Sequence, residues 1–272
     1  GEQSSIVPLE VSDEIWRCAV VGQCADDMFV TIEEELLTRD LDTFNTQHLA
    51  NMAWAFVVLE HSRFHKMSKS GLKLLERVLE VSSKRIDEFA LEELRQLGQV
   101  TLATRTRESE GRETGFALKV KEALHKHHGE MEIESPESSQ FHLHVATSLQ
   151  SLGVPIHNEV KVFEGVYHID IVIGDGDPHS PQGKVAVEVD GPTHFVGKSQ
   201  QPTPHTSLKR WLLNKEGYAV VSIPYFEWQQ YLTEDEFESY LVGKLREVRW
   251  DMRDMTLKQP PSAQPQGTPS PP

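Results

Sequence analysis

Val185-Ala-Val-Glu-Val-Asp-Gly-Pro-Thr-His-Phe195 decides the fold of the C-terminal half. Side chains alternate along a strand, so the valines share one face and Ala186, Glu188 and Asp190 share the other. Gly191-Pro192 then stops the strand, because proline cannot donate to a ladder. Upstream, His168-Ile-Asp-Ile-Val-Ile173 shows the same split, with the isoleucines on one face and His168, Asp170 and Val172 opposite. If these strands pair, three carboxylates meet on one sheet face. Such a cluster repels itself unless a hard cation or a proton intervenes. Asp170, Glu188 and Asp190 are therefore the candidate catalytic and metal-binding residues. They suit Mg²⁺ or Mn²⁺, and a cation there would activate water and bind phosphate.

Working outward from these strands, Ser135-Pro136 reads as a helix start and Gly153 as the stop of a helix over 136–151. Strands are expected near 157–163, 166–173, 184–190 and 218–223, with a helix at 206–216. Thr233-Glu-Asp-Glu236 is a capping box opening a final helix. This order predicts an α/β domain over 135–255, with a mixed sheet flanked by helices. Beyond it, 256–272 is rich in proline and polar residues and is expected to be a disordered tail.

On the other side the period changes. Residues 10–130 are helical in pattern, after an N-terminal extension over 1–9. Trp16-Arg-Cys-Ala-Val-Val21 lines up with Trp54-Ala-Phe-Val-Val-Leu59 at an offset of 38, and Leu41-Asp-Thr-Phe44 with Ile86-Asp-Glu-Phe89 at an offset of 45. Helices are readable at 28–39, 46–60, 70–83, 90–104 and 116–128. The helix at 46–60 is apolar on two sides, as stacked helical pairs require. An irregular helical bundle is the alternative.

Lys and Arg number 27 against 42 Asp and Glu, a net charge of −15. That excludes a simple basic nucleic-acid arm, while leaving room for a local basic groove. No apolar run exceeds the eight residues Met52–Leu59, so no membrane span is expected. Cys18 and Cys24 are too few for a disulfide framework or a four-cysteine zinc site and read as reduced thiols. A first residue of Gly1 rather than Met suggests a fragment or processed product.

Two resemblances follow from these strings. Phe44-Asn-Thr-Gln-His-Leu-Ala-Asn-Met-Ala-Trp-Ala-Phe56 resembles the octotricopeptide-type and FAST-kinase-like helical repeats of organellar RNA-binding proteins, best over 15–66; Gln99 stands where the next repeat would carry tryptophan. Glu188-Val-Asp-Gly-Pro-Thr-His-Phe195, Thr206-Ser-Leu-Lys-Arg210, Gly217-Tyr-Ala-Val-Val-Ser-Ile-Pro224 and Trp228 look like the RAP domain, over roughly 138–230. The carboxylate strands resemble the PD-(D/E)XK nuclease superfamily, in particular its very-short-patch-repair-like branch. The resemblance implies a restriction-endonuclease-like fold after an α-helical repeat segment. It also implies RNA binding in organellar transcript processing, stability or translation, in a mitochondrion or a chloroplast.

The nuclease pattern wants a lysine two residues after Glu188, and Asp190 stands there. Lys209 or Lys184 would have to supply the cation. The departure favours an inactive nuclease-like fold in which Asp190-Gly191 forms a turn and Asp170 pairs with a lysine. A Mg²⁺-dependent endoribonuclease using Asp170, Glu188, Asp190 and Lys209 is the alternative; a scaffold subunit of a ribonucleoprotein, suggested by the negative charge, is a third reading. Single-stranded RNA needs positive groups on phosphates and aromatic groups on bases. Lys209, Arg210, Lys215, His194, Arg63 and Lys66 are the candidate RNA contacts. Trp211 and Trp228 are both expected in the core. His142 and His144 point apart on one helix, and His125, His127 and His128 sit at a helix end, so no histidine-based zinc site is expected.

Overall fold

In the computed structural model, residues 8–21, 26–61, 66–105, 115–127, 139–231, 233–252 and 256–257 are described. The N-terminal part comprises α1 (Pro8–Val21), α2 (Asp26–Thr38), α3 (Thr46–His61), α4 (Lys69–Lys84), α5 (Leu91–Thr104) and α6 (Gly115–Lys126). Residues 106–114, 128–138 and 258–272, and with them the expected Ser135-Pro136 helix start, lie outside the described residues, as does Arg63.

The sequence repeat is visible as packing. α3 lies between α1 and α5, and α4 packs on both α2 and α3. Leu41–Thr43 and Ile86–Glu88 form matching 3₁₀ turns, each followed by a buried phenylalanine, Phe44 and Phe89. Arg85 donates to the Phe44 carbonyl at 2.7 Å, tying one turn to the next. Every residue from Leu49 to Leu59 of α3 is buried. A helix without a polar face must have neighbours all round, which is why 46–60 reads as apolar on two sides.

The offset of 45 also fixes contacts. Trp54 Nε1 donates to Gln99 Oε1 at 2.6 Å, and Gln96 Nε2 donates to Asn51 Oδ1 at 3.2 Å; both pairs are 45 residues apart. Gln99 therefore takes the repeat position of the missing tryptophan and satisfies the indole N–H of the preceding one, which burial would otherwise orphan.

The second part follows the expected order: α7 (Gln140–Ser151), β1 (Ile156–Val162), β2 (Tyr167–Ile173), β3 (Val185–Asp190), α8 (Pro204–Lys215), β4 (Ala219–Pro224), a single turn α9 (Tyr225–Trp228) and α10 (Glu234–Glu247). The sheet order is β1-β2-β3-β4; β1 and β2, and β2 and β3, are antiparallel, while β3 and β4 are parallel. Parallel pairing needs a crossover, and α8 provides it. Thr233 and Glu236 form the capping box of α10. A short ladder of β5 (Trp250–Asp251) and β6 (Thr256–Leu257) carries order two residues past the expected end at 255.

Both faces of the sheet are covered. Ile171, Ile173, Val185, Val187 and Val189 pack against Val145 and Leu149 of α7 and Phe237, Leu241 and Leu245 of α10. Val172 and Ala186, on the opposite face, join Leu208, Leu212 and Leu213 of α8. That second core continues without a break into Ile15, Leu49, Phe56 and Leu97 of the helical array. α8 rests on α3 and α1 as well as on β4. Lys215 donates to the carbonyls of Leu102 and Arg105 at 2.9 and 2.5 Å, supplying donors to the C-terminal end of α5. Arg105 pairs with Glu216 across the same seam.

Candidate nucleic-acid interface

β2 and β3 place Asp170, Glu188 and Asp190 on the α8 side of the sheet, as alternation requires. Their partners decide what the cluster does. Lys209 Nζ contacts Glu188 directly. Arg210 Nη2 donates to Asp190 Oδ2 at 2.6 Å and to Ser222 Oγ at 2.7 Å, and Ser222 donates to the same oxygen at 2.5 Å. His194 Nδ1 lies 3.3 Å from Asp190 Oδ1. Asp170 Oδ2 accepts from the Val189 N–H at 2.6 Å. Consecutive residues of α8 thus neutralise alternate residues of β3, each cation meeting one carboxylate.

Burial sets the electrostatics. Glu188 is 2% and Asp190 0% exposed. Burial pushes the Glu188 carboxyl up to about 8; Lys209 opposes this, while Asp170 and Asp190 add to it. Burial alone would lower Lys209, but Glu188, Asp170 and Asp190 together raise it above the ordinary lysine value. Of the two candidate lysines, Lys209 contacts Glu188, whereas Lys184 donates to the Asp175 carbonyl. Glu188 and Asp190 are buried and already hold Lys209, Arg210 and Ser222, so the three carboxylates do not fit a hydrated Mg²⁺, which keeps several waters.

Beside this cluster a cleft of about 370 Å³ opens between the two halves of the molecule. Arg95, paired with Glu92, and Gln96 and Gln99 line it from α5; Glu159 lines it from β1; Tyr167, His168 and Asp170 line it from β2; His194, His205 and Lys209 come from the loop after β3 and from α8. His205 sits between two rings, 5.7 Å from Trp54 and 6.2 Å from Tyr167, the latter stacked at 25°. Desolvation by the neighbouring rings, with Lys209 and His194 nearby, lowers the His205 imidazole to about 4, although the residue as a whole stays exposed to solvent. Burial also raises the Tyr167 phenol, whose hydroxyl finds no hydrogen-bond partner among the described residues. Stacked rings, amide groups and a cation in one cleft are the ingredients of nucleotide recognition.

The sequence-expected RNA contacts are distributed unevenly. Lys209 and His194 line this cleft, Lys209 while paired with Glu188. Arg210 is committed to Asp190, and Lys215 serves the end of α5 and lies 4.9 Å over the Trp211 ring. Lys66 is exposed away from these residues in sequence, and Arg63 lies outside the described residues. Trp228 is core, at 6% exposure. Trp211 is not: it is 38% exposed against His61, because Leu208 and Leu212 occupy the buried stripe of α8 and leave it at the seam. Sequence reading missed Tyr167, His205, Arg95 and Gln96. The offset of 45, which also separates Gln96 from Asn51, is a signal that could have found one of them.

Residues 187–244, from β3 through most of α10, match the family model "RAP domain". The chain carries a RAP domain. Its string Glu188-Val-Asp-Gly-Pro-Thr-His-Phe195 builds the Glu188–Lys209 and Asp190–Arg210 contacts and ends in Phe195, buried against Phe226 with ring centroids 5.0 Å apart. A "RAP domain-containing protein, chloroplastic" of Oryza sativa subsp. japonica is 27% identical over 197 residues, covering 72% of this chain. The chain spans 28% of that relative's length. The helices ahead of the RAP domain are consistent with repeats. No described helix is long and apolar enough to cross a membrane.

Proposed function

We propose that this protein binds single-stranded RNA in an organelle, and that the cleft between α5 and the RAP domain seats a nucleotide. The observation that carries this reading is the joint lining of that cleft: amides and a cation from the last repeat face stacked rings and Lys209 from the RAP domain. The chloroplastic relative supports an organellar setting. Transcript processing, stability or translation is the role that fits a binding module with repeats. A place among other ribonucleoprotein subunits is compatible with the net charge of −15, since an acidic chain holds RNA weakly at physiological salt without help. The buried, cation-neutralised carboxylates favour binding over hydrolysis.

Titration of a fluorescent single-stranded RNA with the wild type and with a Gln96→Ala, His205→Ala double variant tests the cleft. Stacking and amide contacts of this kind are each worth about 1–3 kcal/mol, so affinity should fall at least about tenfold. Equal affinity, with photo-crosslinks mapping outside residues 92–99 and 167–209, would move the RNA elsewhere.

A further inference from the structure

We infer that His142, Glu159 and Asp170 form a binding site for one divalent transition-metal ion of the Zn²⁺ class, set in the wall of the cleft. The three come from three elements: His142 from α7, Glu159 from β1 and Asp170 from β2. Each offers a donor atom, and these atoms lie within 4.8 Å of one another. A tetrahedral ion with bonds of about 2.1 Å has donor–donor edges of about 3.4 Å. The His142 Nδ1 to Glu159 Oε1 separation is 3.3 Å. For Asp170 to complete the set, only a small side-chain movement is needed.

Two further contacts suit a liganding role for these side chains. The other ring nitrogen of His142, Nε2, faces Asn158 Oδ1 at 3.4 Å. With Nδ1 on a metal, Nε2 carries the proton and donates to that amide oxygen, the arrangement that fixes a liganding histidine's tautomer. One oxygen of Asp170 is held by the Val189 N–H, which orients the carboxylate and leaves Oδ1 for the ion. His142 is 5% exposed, whereas Glu159 and Asp170 line the cleft. Three protein donors therefore close one side, and the fourth position opens toward the cleft, where water or a phosphate oxygen can enter.

The placement depends on one backbone feature. Glu159 has φ of 50°, in the left-handed region, inside a strand whose register otherwise runs Asn158↔Ile171 and Val160↔Ile169. This breaks the alternation, so Asn158 and Glu159 both approach His142. His144, the neighbour that made a two-histidine site look unfavourable, turns away to Trp228 and Phe237. A nitrogen donor with two carboxylates selects Zn²⁺, Co²⁺ or Mn²⁺ over Mg²⁺. This set shares only Asp170 with the Asp170–Glu188–Asp190 cluster.

Binding of the ion alone, without RNA, tests the site independently of the RNA reading. Calorimetric titration of the full chain with Zn²⁺, repeated with Co²⁺ for its visible absorption, should give one saturable equivalent and a raised melting temperature. His142→Gln and Glu159→Gln should each weaken that equivalent at least about tenfold. A His125→Gln, His127→Gln control should leave it unchanged, and Mg²⁺ at the same concentration should not compete. Glu159 is only partly buried, so its variant remains informative if His142→Gln does not fold. No saturable Zn²⁺ binding, or equal binding by the Glu159→Gln variant, would reduce the trio to an ion pair beside Asp170.

Discussion

Asp190 shows how much a single buried carboxylate can organise. It is fully buried, yet Arg210 and Ser222 meet one oxygen and His194 approaches the other. Removing one partner of a buried pair leaves an uncompensated charge, which costs about 3–5 kcal/mol. Arg210→Ala should therefore destabilise the chain by that order in chemical denaturation; a loss under about 1 kcal/mol would mean that water replaces the guanidinium. Glu188 gives a different signature. Its carboxyl is raised to about 8, so its contribution is fully present below the ordinary carboxylate value and is lost as pH rises through 8. The raised Lys209 acts in the same direction at higher pH. The melting temperature of the wild type should fall between pH 5 and 9, and Glu188→Gln should flatten that fall. Parallel profiles would show that Glu188 stays ionised throughout. The glutamate, the aspartate and their strand face were legible in the sequence, because alternation is local. Their pairing with consecutive residues of α8 was legible only as two nearby basic side chains.

Among the elements, α5 was placed by its period but not by its neighbour. Gly98 stands in the middle of it, where alanine would ordinarily add up to about 1 kcal/mol of helix stability. A Cβ on Gly98 would fall 2.6 Å from Val166 Cγ2, in the turn between β1 and β2. The clash should outweigh the gain, so Gly98→Ala should destabilise by about 1–3 kcal/mol, and Val166→Ala should recover part of the loss. An additive double variant would show that helix and turn do not touch in solution. The cleft escaped sequence reading for the same reason. Its two walls, 95–99 and 167–209, are brought together by tertiary packing, which leaves no periodic mark. The left-handed backbone at Glu159 likewise has no local signal, since glutamate is not a residue that advertises positive φ. By contrast, the strands, the capping box at Thr233 and the repeat turns were readable, because propensity, caps and side-chain period agree there.

At the scale of the molecule, the boundary seen in the sequence between helices and sheet is not a boundary in the core. Val160, Val162, Tyr167, Leu208 and Leu212 share one apolar cluster with Leu49, Phe56 and Leu97. Such a joint core predicts one cooperative thermal transition, with α-helical circular dichroism and tryptophan fluorescence falling together. Two separated transitions would show that the halves fold alone. A fragment starting at residue 139 should expose the apolar side of α8 and aggregate or melt early.

The seam bears on inheritance. Tandem arrays commonly gain and lose units by recombination, because each unit asks only that its neighbours resemble it. The units around α3 and α5 ask more: Trp54 must meet His205, Gly98 must admit Val166, and Leu102 and Arg105 must receive Lys215. A crossover that delivered a RAP domain to a foreign array would break all three at once. These two units and the RAP domain are thus expected to descend as one block, with duplication and loss confined to units ahead of them.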